Sequence, residues 1–140
     1  IIGGPSYRFR QFVDLYHRSV DSFGREALPI GVHSPGHIAE TDEQAWEQAY
    51  PGFEALNNSI GRERGWPPYS RARFQQEVGP EGSVYAGSPE RVAQKIAATI
   101  GASRFDMKYS TGTLSHEHMM RSIELYGTQV APRVRELLAD

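Results

Sequence analysis

The chain has 140 residues, which suits a single domain, and hydrophobic residues make up 39% of it, enough for a packed core. A net charge of −2 offers no basic field for nucleic acid or an anionic membrane, and the absence of cysteine excludes disulfides, thiolate zinc sites and cysteine nucleophiles. No apolar run approaches the ~20 residues of a membrane span and no signal peptide is visible, so we expect a cytoplasmic protein.

The chain opens on two β-branched residues and a Gly-Gly-Pro turn, Ile1–Pro5, a pattern typical of a buried strand that runs into a loop. This opening suggests that the numbering begins inside a longer protein, and a processed or engineered start is the alternative. A helix is predicted to begin at Pro5 or Ser6 and to end at Gly24. Its apolar positions recur at helical spacing: Phe9, Phe12, Val13, Tyr16 and Val20.

The run Leu28–His33 is short, apolar and bounded by turn residues, and it predicts a buried parallel strand that ends at His33. Ser34–His37 is then the loop that follows the strand. Thr41 is expected to open a second helix, with Gln44 three residues later completing a capping box.

The segment from Glu40 to Val78 is predicted to be a helical insertion that packs beside the end of this strand. Pro51 should kink or divide its long helix, because the proline ring clashes with the preceding turn. Trp46 and Phe53 fall on the apolar face of that helix and should be buried. Ser70 is expected to cap a second, short helix.

Two further units complete the pattern. Val84–Ala86 is a brief extended piece, and Ser88, followed by proline and an acid, announces a helix. Arg104–Tyr109 alternates between apolar and charged residues and predicts a strand. The polar turn Ser110–Thr113 then leads into a helix that Ser115 caps, with Met119, Ile123 and Tyr126 along one stripe.

Alternation of strands and helices implies an α/β fold with a parallel sheet and covering helices. Two whole strands and the stub of a third are too few for a stable doubly wound sheet. They are the right number for the last part of a (β/α)8 TIM barrel.

Six segments of the chain, taken in order, resemble one known family. They are Ile1–Gly4, Leu28–Ser34, Ile60–Pro68, Gly87–Ala93, Arg104–Met107 and Met120–Val134. Each is weak by itself, but their order and spacing together are specific, and they span essentially the whole chain. On these segments the sequence resembles the luciferase-like flavin-dependent oxidoreductases.

The resemblance implies a TIM barrel that uses reduced flavin, usually FMN and in some members a deazaflavin. It implies monooxygenation of a small organic substrate with oxygen, or hydride transfer in the deazaflavin alternative. The resemblance also implies that residues 1–140 are a single C-terminal portion of such a barrel, about strands six to eight with their helices, with a helical insertion after strand seven. Because most of the flavin-phosphate apparatus of the family lies on earlier strands, the segment alone is expected to be inactive.

The resemblance and the strand ends together nominate cofactor-binding residues. Gly3 and Gly4 follow the strand stub, where backbone could approach a flavin, and a plain tight turn is the alternative. His33 is expected at the barrel mouth, and a neutral loop histidine would look the same. The best candidates are Tyr109, Ser110, Thr111 and Gly112, because polar residues that follow a barrel strand more often serve the site than the scaffold. No catalytic acid, base or nucleophile is assigned.

Other motifs in the chain permit other interpretations. His116–His118 does not predict a metal site, because residues two apart on a helix point to different faces. Gly87–Glu90 resembles an anion-binding helix start, but Glu90 would repel a phosphate and structural capping is favoured. The competing class is a non-catalytic binding module, a barrel fragment that covers its open sheet edges by forming a homo-oligomer. A sugar-phosphate TIM-barrel enzyme explains the alternation but not the six segments.

Overall fold

The computed structural model describes residues 4–99, 103–110 and 112–139. Its elements are a 3-10 turn (Ser6–Phe9), α1 (Arg10–Ser22), β1 (Gly31–Ile38), α2 (Asp42–Arg64), α3 (Arg71–Val78), β2 (Tyr85–Gly87), α4 (Pro89–Ala97), β3 (Arg104–Lys108), α5 (His116–Leu125), a π-helical turn (Tyr126–Val130) and α6 (Ala131–Ala139).

Hydroxyl side chains begin three of the helices, as the sequence predicts. In each case the hydroxyl oxygen accepts a backbone N–H three residues later at 3.2 Å: Thr41 from Gln44, Ser70 from Arg73 and Ser115 from His118. At the other end of α2, Gly65 takes the left-handed conformation with φ 67°, which ends the helix.

β1 lies in the middle of a three-stranded parallel sheet of order β2-β1-β3. Val32 of β1 pairs with Phe105 of β3, and Gly36 of β1 pairs with Tyr85 of β2. The predicted α/β class and the predicted parallel pairing of the two longer strands are therefore confirmed. Val84–Ala86, expected as a brief extended piece, contributes the third strand.

The prediction that Ser34–His37 forms a loop is wrong, because these residues continue β1 to Ile38. Pro35 is the last residue of β1 paired with β3, and Gly36 is the first paired with β2. The proline therefore lies at the end of one hydrogen-bonded ladder, where its missing N–H is tolerated. A Cβ on Gly36 would lie 2.4 Å from the Tyr85 carbonyl oxygen, so the glycine permits close strand packing.

The two faces of the sheet have different neighbours. One face packs against the helices in a core formed by Ile38, Tyr85, Val92, Ala93, Ile96, Leu125 and Val130, with Phe105, Met107 and Tyr126 at its border. Because side chains alternate along a strand, the residues of β1 on the opposite face are His33, Pro35 and His37. In a closed barrel this second face would be the interior.

A second core joins the insertion to β2. Its buried members are Ala49, Phe53, Tyr69, Phe74, Val78, Val84 and Ala86, with Trp46 and Tyr50 partly buried against them. Of the two outcomes predicted for Pro51, a kink or a division of the helix, the division is wrong, because α2 is continuous from Asp42 to Arg64. The proline is exposed, so its ring adds no crowding to this core.

The apolar stripe predicted for the last helix is only partly right. Ser122 and Leu125 are buried, whereas Ile123 is 41% exposed. The reason is a hydrogen bond from the Ile38 backbone N–H to the Ser122 hydroxyl oxygen at 2.8 Å. This bond turns the Ser122 face of α5 toward β1, because the buried N–H at the end of the strand requires an acceptor.

The helix α1 leaves much of its apolar surface open. Phe12 is 58% exposed and Leu15 is 53% exposed, and Phe23 just beyond the helix is 77% exposed. Val13 is the buried residue of this helix. Among the residues that the structure describes, no helix is long and apolar enough to cross a membrane.

Candidate functional site

The C-terminal ends of the three parallel strands meet at one edge of the sheet, which we call the mouth. The mouth is defined by Ile38, Gly87 and Lys108, the last residues of β1, β2 and β3. In parallel α/β proteins this edge is where ligands bind, because the loops and helix starts that follow the strands converge there. A cofactor-binding side chain is therefore expected close to these strand ends.

His37 is the titratable side chain that β1 brings to the mouth. It is completely buried. Its Nε2 lies 2.7 Å from the Oε1 of Gln48 on α2, while its Nδ1 has no hydrogen-bond partner. Burial lowers the pKa of His37, the bond to Gln48 partly opposes this, and the nearby His118 lowers it further. The imidazole is therefore neutral near pH 7, and its unpaired nitrogen is buried.

Tyr109 directly follows β3 and packs on the helix side of the sheet. Its ring meets that of Tyr126 edge-on, with ring centroids 6.2 Å apart. Its hydroxyl is buried and has no partner. Burial raises the pKa of the Tyr109 hydroxyl, and the neighbouring Tyr126 raises it further. The side chain is thus a neutral phenol held by an aromatic contact at the mouth.

The turn after β3 lies against the insertion. Ser110 is exposed at its start. Gly112 has φ +67°, and a Cβ added to it would lie 2.8 Å from the carbonyl oxygen of Gly52 in α2. The glycine is therefore required both for its backbone conformation and for the contact with α2. Thr111 lies outside the described residues.

His33 is not at the mouth. The expected position at the strand end depended on β1 stopping there, whereas the strand continues to Ile38. His33 lies four residues before His37 on the same face, roughly 13 Å further from the mouth at ~3.3 Å per residue. Its neighbour across the sheet is Asp106 of β3. The histidine at the end of β1 is therefore His37 and not His33.

The N-terminal glycines are only half described, since Gly3 lies outside the described residues. Gly4 is partly buried just before the 3-10 turn, and a Cβ on it would make ordinary contact with the Phe9 ring at 3.6 Å. Neither a positive φ nor a close approach requires glycine at this position.

At the start of α4, the position that could bind an external anion is occupied by the carboxylate of Asp42 from α2. The Ser88 backbone N–H donates to one oxygen of Asp42 at 2.7 Å, and Arg91 donates to the other at 3.2 Å. Burial raises the pKa of Asp42, but the bonds from Ser88 and Arg91 outweigh it, so the pKa lies below its usual range. The structural interpretation of Gly87–Glu90 fits this arrangement, and a phosphate would have to displace Asp42.

The insertion is fixed to the mouth by a second contact. The indole Nε1–H of Trp46 donates to the Ala86 carbonyl oxygen at 3.0 Å, and the Arg91 guanidinium lies over the indole ring, 5.0 Å from its centroid. Because Ala86 belongs to the second core, α2, α3 and β2 form one packed unit. The insertion therefore packs against the ends of β1 and β2 as a wall beside the mouth.

Comparison with known proteins gives structural relatives. No family model matches the chain, and no curated protein matches it. The structure superposes on the monooxygenase RslO1 from Streptomyces bottropensis with a TM-score of 0.73 and 16% identity, over 91% of this chain and 38% of that chain. The chain therefore has the fold of part of a monooxygenase.

A second relative carries a flavin. It is a type II Baeyer–Villiger monooxygenase, the oxygenating constituent of 3,6-diketocamphane monooxygenase from the CAM plasmid of Pseudomonas putida, in complex with FMN. The match has a TM-score of 0.62 and 18% identity, over 93% of this chain and 41% of that chain. At the level of the fold, the resemblance drawn from the six sequence segments is confirmed. The chain spans about two-fifths of the length of each relative.

The described residues fit part of a flavin site. At the mouth, His37 Nδ1 is a buried acceptor without a donor, and Tyr109 adds a buried hydroxyl without a partner. His37 Nδ1, on the face that a closed barrel would turn inward, suits a donor group of a bound ring, whereas the Tyr109 hydroxyl lies on the helix side of the strand end. By contrast, the helix start at Ser88 already holds the Asp42 carboxylate, so it offers no place for a flavin phosphate. This segment would supply one wall for a ring, and the phosphate would need other residues.

Proposed function

We propose that this chain is the C-terminal part of a flavin-dependent monooxygenase barrel, with β1 as strand seven and β3 as strand eight. The observation that carries the proposal is the superposition of more than nine-tenths of the chain on two monooxygenases, at TM-scores of 0.73 and 0.62. Residues 1–140 would then be one segment of a longer protein. Its substrates are a small organic molecule and oxygen.

The unfilled surfaces of the fold support a segment that continues into a larger barrel. Among the described residues, β3 pairs with β1 on one side and has no strand on the other. The apolar side chains of Phe12, Leu15 and Phe23 are more than half exposed. The earlier strands and helices of a barrel would cover this edge and this helix face, burying apolar surface that otherwise costs about 25 cal/mol per Å².

The cofactor of the intact protein is FMN in this proposal, and the reduced flavin supplies the reaction with oxygen. The residues of this chain bind and orient the ring and exclude water. His37, Tyr109, Ser110 and Gly112 line the mouth at the ends of β1 and β3, with Gly4 and His33 as outer candidates. The wall formed by α2 and α3 keeps solvent from the reacting atoms.

Flavin titration of the intact protein tests the proposal. Tyr109→Phe removes one hydroxyl and keeps the ring on Tyr126, so we expect weaker FMN binding with no loss of thermal stability. Tyr7→Phe, at a 48% exposed site, is the matched control and should change neither quantity. An intact protein that binds no flavin would defeat the proposed function. Unchanged FMN affinity of Tyr109→Phe would remove Tyr109 from the site.

A further inference from the structure

Two buried side-chain polar atoms have no hydrogen-bond partner among the residues that the structure describes, His37 Nδ1 and Tyr109 Oη. Both residues lie at the C-terminal ends of neighbouring strands, β1 and β3. Unpaired buried polar atoms are rare in folded proteins, and each one requires an explanation such as a ligand. Both atoms lie at the mouth, and no other buried side-chain polar atom of the described residues is unpaired, but they lie on opposite faces of the sheet, so each needs its own explanation.

The tautomer of His37 follows from its bond to Gln48. The Oε1 of Gln48 is an acceptor, so the Nε2 of His37, 2.7 Å away, carries the hydrogen and donates it. In a neutral imidazole the other nitrogen, Nδ1, then has a free lone pair. Burial keeps the ring neutral by lowering the pKa of His37. The unpaired atom is therefore an acceptor, which excludes an anion as its ligand.

His37 and Tyr109 lie on opposite faces of the sheet. The Tyr109 ring is held on the helix side of the sheet by Tyr126. His37 and Ile38 are adjacent in β1, so their side chains point to opposite faces of the sheet. Because Ile38 belongs to the helix-side core, His37 lies on the face that a closed barrel turns inward. Within the described residues, the titratable group whose charge acts on His37 is His118, in the first turn of α5.

We infer that His37 is a positioning residue of the flavin site, and that its Nδ1 accepts a hydrogen bond from an N–H or O–H group of the bound flavin. The inference rests on the proposed function. Gln48 fixes the ring and its tautomer, so the acceptor is ready before the ligand binds. Because Nδ1 is closed to solvent, the bond requires the side chains that cover it to move when the ligand binds, and half-buried His118 is the charged neighbour on α5. Water then does not compete for the bond.

A matched pair of variants tests this inference in the intact protein. Asparagine places its amide near the position of Nδ1, whereas glutamine places its amide near that of Nε2. We therefore expect His37→Asn to keep FMN affinity within about threefold and His37→Gln to lose about tenfold, the worth of one hydrogen bond. Equal losses in both variants, or no loss in His37→Gln, would overturn the inference while leaving flavin binding intact.

A second measurement uses the unsubstituted protein and does not depend on the folding of a variant. Nitrogen-15 NMR of histidine distinguishes a free Nδ1 lone pair from one that accepts a hydrogen bond. We expect the His37 Nδ1 signal of the flavin-free intact protein to be that of a free lone pair, and to move on titration with oxidised FMN. A signal that is already hydrogen-bonded without FMN, or that FMN leaves in place, contradicts the inference. No binding of FMN at all defeats the proposed function and the inference together.

Discussion

The carboxylate of Asp42, at the start of α2, accepts the backbone N–H of Ser88, at the start of α4, across 2.7 Å. One acidic side chain thereby joins the insertion to the end of β2. Its second oxygen accepts from Arg91 at 3.2 Å. The same carboxylate occupies the helix start at which an anion could otherwise bind.

Replacing Asp42 with alanine should therefore destabilise the fold. The change leaves the Ser88 N–H and the Arg91 guanidinium without their acceptor, and bonds to a charged group are worth about 1.5–3 kcal/mol each before the partial exposure of this pair is discounted. We expect a loss of about 1–2 kcal/mol in urea unfolding. Glu43→Ala, at the exposed neighbouring position, is the control and should stay within about 0.5 kcal/mol. Equal effects of the two variants would show that the Asp42 contacts contribute little.

Lys95 holds the end of α3 against β2. Its Nζ donates to the carbonyl oxygens of Gly79 at 2.6 Å and Val84 at 2.7 Å. Burial lowers the pKa of Lys95 to about 7, and Arg91 contributes to the lowering. Even the neutral amine has two N–H groups, enough for these two short bonds.

Lys95→Met keeps the length and apolar body of the side chain but removes this donor from the Val84 carbonyl oxygen and leaves the Gly79 oxygen with only the Gly82 N–H, at 3.0 Å. We expect it to destabilise the protein by about 1–3 kcal/mol, the cost of unsatisfied buried acceptors. Lys108 is the other lysine of the chain and is exposed, so Lys108→Met should have little effect. A Lys95→Met variant as stable as the unsubstituted protein would mean that water replaces the ammonium.

Gly112 should not tolerate a side chain. Alanine there would have to adopt φ +67° and would bring its Cβ within 2.8 Å of the Gly52 carbonyl oxygen. We expect Gly112→Ala to lower stability by about 1–3 kcal/mol and to move the turn after β3 away from α2. Gly127→Ala is the control, because nothing lies within 4 Å of its added Cβ, and it should be neutral or stabilising. Equal melting temperatures of the two variants would contradict the close contact.

His37 should make stability depend on pH. Its pKa in the unfolded chain is near 6.5 and burial lowers it in the folded protein. At pH values between these two pKa values, the unfolded chain binds a proton on His37 that the folded protein does not bind. The contribution of neutral His37 to the free energy of unfolding is therefore fully present above pH 6.5 and is lost as pH falls through the folded-state pKa. The urea midpoint should therefore decrease more from pH 7.5 to pH 5.5 in the unsubstituted protein than in His37→Asn. An identical fall in both proteins would assign the effect to other groups.

The fold could be predicted where local pattern and tertiary structure agree. The apolar alternation around Phe105 and the capping hydroxyls of Thr41, Ser70 and Ser115 follow from short-range physics. The parallel pairing of the two longer strands follows from the alternation of strands and helices along the chain. Pro51 is a partial exception, since propensity alone predicted a kink or a break and the helix α2 is continuous. Packing of the surrounding turns in the second core outweighs the local cost of the proline.

The site was harder to predict, because Ser34–Gly36 are residues that usually end a strand. Their place in β1 depends on a change of strand partner at Pro35 and on the close approach of Tyr85 to Gly36, and both are tertiary facts. The consequence was an error of four residues, which put His33 at the mouth in place of His37. A period-two reading continued through Pro35 would have placed His37 on the same face and nearer the strand end.

The most direct test of the central claim is to titrate FMN, oxidised and reduced, against the intact protein and against the isolated 140-residue chain. If this chain is one wall of a flavin site whose phosphate is held elsewhere, the isolated chain loses most of the contacts. A loss of even ~4 kcal/mol weakens binding by about a thousandfold. We therefore predict tight binding by the intact protein and weak or undetectable binding by the chain alone. Tight, stoichiometric binding by the isolated chain, or none by the intact protein, would contradict the account.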